Sequence, residues 1–174
     1  MVEKSIEVPE GVSVEVDGKR VKVSGEKGSL ERTFKYVFDI KIRKEGNRII
    51  VSSPSERRKV KAMVGTIIAH IRNMIKGVTK GYKYRLRIVY KHFPISVKVE
   101  GDKVLIHNFL GERTVRVAKI VGDTKVDVKG KDIEVTGINV EDVAQTAANI
   151  EQACRITKYD RRVFVDGIFI VGKE

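Results

Sequence analysis

The sequence predicts an α+β protein of two tandem duplicated domains, each an antiparallel-rich β-sheet with one long α-helix packed on it. Three observations predict it. Two segments 83 residues apart share one hairpin pattern, each is followed by further alternating segments, and each set then runs into a stripe of apolar residues at helical spacing. A chain of 174 residues has room for two such cores of about 80 residues, each burying roughly 60% of its unfolded surface.

The hairpin comes first. Ser13-Val-Glu-Val-Asp-Gly-Lys-Arg-Val-Lys-Val23 aligns without a gap on Ser96-Val-Lys-Val-Glu-Gly-Asp-Lys-Val-Leu-Ile106. In both, period-two alternation brackets an acid-glycine turn, Asp17-Gly18 or Glu100-Gly101, where glycine takes positive φ at little cost. Glu31-Arg32-Thr33 then echoes Glu112-Arg113-Thr114, and Ile42 to Val51 around Gly46 echoes Val126 to Val135 around Gly130. The first helix is expected to start at Ser53-Pro54-Ser55-Glu56, with Ser53 as N-cap, Pro54 at the first helical position and Glu56 completing a capping box. Its buried stripe is Val60, Val64, Ile67, Ile68, Ile71, Ile75 and Val78. The second helix is expected from near Asn139, burying Val143, Ala147, Ile150 and the lone cysteine Cys154 as a small inert hydrophobe. The second copy begins near Tyr82, which gives domains of 1–81 and 82–174.

Charge narrows the function. The chain carries 35 Lys+Arg and 23 Asp+Glu, a net +12. Twelve of those bases lie between Arg57 and Val99, where there is no acid, leaving 23 bases against 23 acids elsewhere. A soluble surface mixes signs, whereas a field of one sign suits a polyanion such as RNA, DNA or an acidic membrane. No apolar run is long enough to span a bilayer, so no membrane partner is expected. The acid-bearing N-terminus resembles neither a signal nor a transit peptide, so a cytoplasmic location is expected.

Two segments could bind RNA. Tyr82 to Lys91 alternates strictly, with Tyr82, Tyr84, Leu86, Ile88 and Tyr90 on one face and Lys83, Arg85, Arg87, Val89 and Lys91 on the other. That cationic face suits either a phosphate backbone or an edge strand kept charged against aggregation. The second segment follows the second helix: Arg155, Lys158, Arg161 and Arg162 crowd its exit together with Tyr159. The helix dipole favours one or two cations there, not four. A hairpin turning at Asp166-Gly167 is expected to anchor this loop, with the arginines gripping phosphates and Tyr159 stacking on a base.

Catalytic signals are poor. The sequence has no phosphate-binding Gly-Lys-Ser/Thr loop, no His-Glu-x-x-His and no nucleophile elbow. His70, His92 and His107 are scattered, and one cysteine excludes a multi-cysteine metal site. The sequence therefore predicts neither an enzyme nor a cofactor, and no small-molecule substrate.

Longer strings then match a known pattern. Asn73-Met-Ile-Lys-Gly-Val-Thr-Lys-Gly-Tyr82 with Val89-Tyr-Lys-His-Phe-Pro-Ile95, and Gln145-Thr-Ala-Ala-Asn-Ile-Glu-Gln-Ala-Cys-Arg-Ile156 with Tyr159-Asp-Arg-Arg162 and Asp166-Gly-Ile168, resemble signatures of the large-subunit ribosomal protein six family (the universal L-six family), in its archaeal and eukaryotic branch. The resemblance implies a structural component of the large ribosomal subunit, bound to ribosomal RNA near the stalk base where translation factors dock. It implies that residues 82–174 are the main RNA-binding half, with neighbouring ribosomal proteins as partners and no homo-oligomer. Carried onto this chain, the RNA-binding positions are Gln145, Asn149, Arg155, Lys158, Tyr159, Arg161 and Arg162. Charge counting favours the segment from Arg57 to Val99 instead, and its Lys83, Arg85, Arg87 and Lys91 stand as further candidates. The alternative is a free-standing RNA-binding or regulatory module outside the ribosome.

Overall fold

A computed structural model describes residues 1–36 and 38–174. The chain divides into two compact units, Met1–Gly81 and Tyr82–Glu174. The first contains β1 (Val2–Glu7), β2 (Ser13–Asp17), β3 (Arg20–Gly25), β4 (Gly28–Thr33), β5 (Lys41–Glu45), β6 (Arg48–Ser53) and α1 (Arg58–Thr79). The second contains β7 (Tyr82–Val89), β8 (Ser96–Glu100), β9 (Lys103–His107), a 3-10 turn (Phe109–Gly111), β10 (Arg116–Lys119), β11 (Lys125–Lys129), β12 (Asp132–Gly137), α2 (Val140–Ala153) and β13 (Gly167–Lys173).

Each unit is α+β, with two antiparallel sheets where the sequence suggested one. In the first unit the orders are β1-β6-β5 and β2-β3-β4. The apolar stripe of α1 is buried at Val60, Val64, Ile67, Ile68, Ile71, Ile75 and Val78, with Met74 and Gly77 added, and packs on strands of both sheets. In the second unit the orders are β10-β9-β8 and β11-β12-β7-β13. There α2 buries Val143, Ala147 and Ile150, and Cys154 follows at 5% exposure.

The duplication survives at the level of strand register. Asp17 lies opposite Arg20, and Glu100 opposite Lys103, with Gly18 and Gly101 opening the two turns at φ +58° and +59°. Ile42 faces Val51 as Val126 faces Val135. The Glu-Arg-Thr echo, by contrast, is out of register. Thr33 faces Arg20 and Lys119 faces Lys103, so the structural counterpart of Thr33 is Lys119, not Thr114. The cause is the 3-10 turn, whose Phe109 is fully buried; it fills core volume and delays the return strand.

Three further expectations are corrected. The capping box does not form: Ser53 still pairs with Val2 in the β1/β6 ladder, and Ser53 Oγ instead accepts from the Ser55 amide at 3.3 Å. Glu56 is taken by the terminal amine at 2.9 Å, so α1 begins at Arg58 without a side-chain cap. Residues 82–91 do not make an edge strand, because β13 covers one side of β7 while β12 pairs with the other. The hairpin about Asp166-Gly167 is also absent: residues 154–166 form a loop, and β13 pairs with β7 from Gly167 opposite Val89 to Lys173 opposite Tyr84, with a bulge at Val171. Ile168, 1% exposed, seats this strand in the core, a burial that contributes about 1.5–3 kcal/mol.

Candidate nucleic-acid interface

The loop leaving α2 is built by a guanidinium, a carboxylate and an aromatic stack. A helix end leaves carbonyls without intrahelical donors. Here Arg116 of β10 supplies them, donating through Nη1 to the carbonyls of Ala153 at 2.9 Å and Arg155 at 3.0 Å. The same guanidinium grips Glu112 with two bonds, 2.9 Å from Nε and 2.8 Å from Nη2, and lies 4.5 Å from the Phe109 ring centroid. The bond with Arg116 holds the Glu112 carboxyl below its ordinary range and raises the guanidinium in turn. Arg116 does not stand out in the sequence; its only signal is Glu112 four residues earlier.

At the far end of the loop Asp166 is fully buried. Its Oδ1 accepts from the Lys91 amide at 3.1 Å and stands 3.8 Å from His92 Nδ1, while Oδ2 has no hydrogen-bond partner. Between these anchors Phe164 carries the loop's packing, with the Tyr159 ring at 4.6 Å and the His92 ring at 4.8 Å, centroid to centroid. Ile156 is buried. Asp160 closes a turn, its carbonyl accepting from Val163 and Phe164 and its carboxylate from the Arg162 amide at 2.9 Å.

This frame leaves Arg155, Lys158, Tyr159, Arg161 and Arg162 all exposed. Tyr159 is 49% exposed, its ring tilted against that of Phe164. Arg161 bonds only weakly to the Ile156 carbonyl, at 3.4 Å. Arg162 touches Asp160 at 3.1 Å, but its side chain is 90% exposed, so this pair contributes little to stability. Gln145 and Asn149 lie on α2 before the loop: the Gln145 amide donates to Asn149 Oδ1 at 2.8 Å, and Asn149 donates to the Lys119 carbonyl at 3.0 Å.

The cationic face of β7 is different. Lys83 pairs with Glu134 at 3.1 Å, Arg87 with Asp132 at 3.5 Å, and Arg85 with Glu174. Glu134 is held below the ordinary carboxylate range by Lys83 first and Lys129 second. Strand pairing thus places acids from β12 beside bases that are acid-free in sequence. Lys91, just beyond β7, is exposed and tied through its amide to Asp166.

A second basic surface surrounds the start of α1. Arg57, Arg58, Lys59 and Lys61 cluster there with no acid in the first turn, although a helix N-terminus favours the opposite charge. Among the described residues no group of three or more His, Cys, Asp or Glu could hold a metal ion, and no helix is long and apolar enough to cross a membrane.

Comparison with known proteins gives a consistent picture. The family model described as "Ribosomal protein L6" matches residues 8–81 and again 93–167, once in each unit. A protein of Ignicoccus hospitalis named "Large ribosomal subunit protein uL6" is 55% identical over 173 residues, covering 97% of this chain and 93% of its own. The protein of that name from Aeropyrum pernix is also 55% identical, covering 99% and 95%. The one from Methanocella arvoryzae is 54% identical over 171 residues, covering 98% and 96%.

Proposed function

Since the chain belongs to the ribosomal protein L6 family, whose role is structural and not enzymatic, we propose that it is a constituent of the large ribosomal subunit that binds ribosomal RNA through the loop after α2. The reading rests above all on the likeness to proteins named for the large subunit, which runs over nearly the whole of both chains. The loop's build supports the RNA-binding step. Arg155, Lys158, Arg161 and Arg162 project from a backbone fixed at both ends by Arg116 and Asp166, so little ordering entropy is lost when phosphates are engaged. Contacts of this kind read the shape of folded RNA and the placement of its phosphates more than base sequence. The protein works in the cytoplasm near the stalk base where translation factors dock, beside neighbouring ribosomal proteins, and the second unit is the main RNA-binding half. The paired bases of β7 rank below the loop, since each must give up an acid before it can take a phosphate.

Two measurements test this. In cells producing the tagged chain, it should co-sediment with large subunits through high salt; a free-standing RNA-binding module would be stripped off. In vitro, Arg161→Ala with Arg162→Ala should leave the melting curve unchanged and reduce the slope of log K against log salt by roughly one unit per lost phosphate contact. An unchanged slope removes the loop from the interface.

A further inference from the structure

Beside the basic loop, within the second unit, lies a cavity of about 900 Å³, at the upper end of the size of small-ligand pockets. Its walls combine two chemistries. Phe164, Val165 and Phe169 are apolar, and Val165 and Phe169 are 42% and 44% exposed although they flank the fully buried Asp166 to Ile168. Arg155 and Arg161 supply positive charge, and the Arg155 side chain has no partner among the described residues. The unpaired Asp166 carboxylate oxygen lies behind this wall, enclosed from solvent.

These features select the occupant. A free anion would gain from the arginines, but it would meet aromatic walls and be repelled by Asp166. An apolar side chain from a neighbouring protein would fill the space yet leave the arginines unanswered. A nucleotide matches both: a flat base for the aromatic walls and a phosphate for the arginines. We propose that an unpaired nucleotide of the bound RNA inserts its base into this cavity, between the end of α2 and the start of β13. The inference rests on the RNA-binding reading above and adds to it a specific base-binding subsite.

The test uses the full chain and deproteinised large-subunit RNA from the cells that produce it. Val165→Trp fills the cavity from a partly exposed position, and Phe169→Leu removes the ring without adding bulk; thermal melting checks that both fold. Each should weaken RNA binding on the order of tenfold, the loss expected for one base–aromatic stack, while leaving the salt slope unchanged because no phosphate contact is lost. Base-specific chemical probing should show one unpaired base protected by the wild type and reactive again with Val165→Trp, the flanking backbone staying protected. If both variants bind as the wild type and no base changes reactivity, the proposal is overturned; a fall in subunit incorporation alone would then assign the cavity to a neighbouring protein. If the wild-type chain itself shows no salt-dependent RNA binding, the functional reading falls together with the subsite.

Discussion

Replacing Arg116 by Met should loosen the basic loop before it touches any basic residue in it. Met keeps the apolar stem over Phe109 but removes the donors to Ala153, Arg155 and Glu112. A hydrogen bond from a charged donor contributes about 1.5–3 kcal/mol when well buried. The Arg116 side chain is 25% exposed and that of Glu112 37%, so screening brings the ion pair down to about 1 kcal/mol and each carbonyl bond to about 1 kcal/mol. The expected loss is about 2–4 kcal/mol, which for a unit of this size lowers the melting midpoint by about 10–20 °C. Thermal melting and hydrogen exchange of the amides around residues 154–166 would measure it. The pH dependence has a fixed sign: a carboxyl held low when folded stabilises above its unfolded pKa, and that contribution is lost as pH falls through the lower folded value. The gap between wild type and Arg116→Met should therefore narrow below the ordinary carboxylate range. Coincident melting curves, unchanged loop exchange, or full rescue by Arg116→Lys, whose ammonium cannot make the forked bond, would refute the reasoning.

Cys154, its thiol pushed up to about 12 by burial, should not react with Ellman's reagent at mildly alkaline pH until denaturant opens the unit; fast native labelling would contradict its place in the core. Arg57→Asp should stabilise the first unit by about 1 kcal/mol through an N-cap and a favourable dipole interaction, read as a higher urea midpoint; no gain would mean that the helix start is already satisfied. Asp166→Asn should keep the Oδ1 bond to the Lys91 amide and cost little, whereas Asp166→Ala should cost about 1–3 kcal/mol; equal stabilities would show that the tie is idle. Gly25→Ala should destabilise by about 1–3 kcal/mol, because a Cβ there would sit 2.8 Å from both Cγ2 and the carbonyl oxygen of Val78; unchanged stability would show that α1 can move away.

The parts of the fold legible in the sequence are those governed by local period. Val14, Val21 and Val23 alternate because one face of a sheet is buried, and the stripe from Val60 to Val78 recurs because one face of a helix is buried. The features that stayed hidden depend on partners distant in the chain. Ser53 has every local mark of an N-cap, yet its backbone is claimed by Val2. Lys83, Arg85 and Arg87 look like an open cationic strip until β12 and the C-terminal residue bring Asp132, Glu134 and Glu174 beside them. The loop bases were legible as a cluster of unusual density at a helix exit. Its supports were legible only in part: Asp166 stood out as a turn residue, but the hydrogen bonds made by Arg116 and Asp166 span 37 and 75 residues.

The divergence of the two copies explains why the loop belongs to the second. Carried forward by the 83-residue offset, Met74, Ile75 and Val78 of α1 correspond to Thr157, Lys158 and Arg161. The first three are buried and hold the last two turns of α1 against the sheets; the second three are exposed. A helix whose stripe turns polar has nothing to bury there, so α2 stops at 14 residues where α1 runs to 22. The chain so released forms the basic loop and then β13, whose Ile168 takes up core space while its backbone pairs along β7, the strand whose counterpart β1 is left at an edge. Lost helix and gained strand are thus two results of one change in the apolar pattern, and the surface freed between them is the one that carries Arg155, Lys158, Arg161 and Arg162.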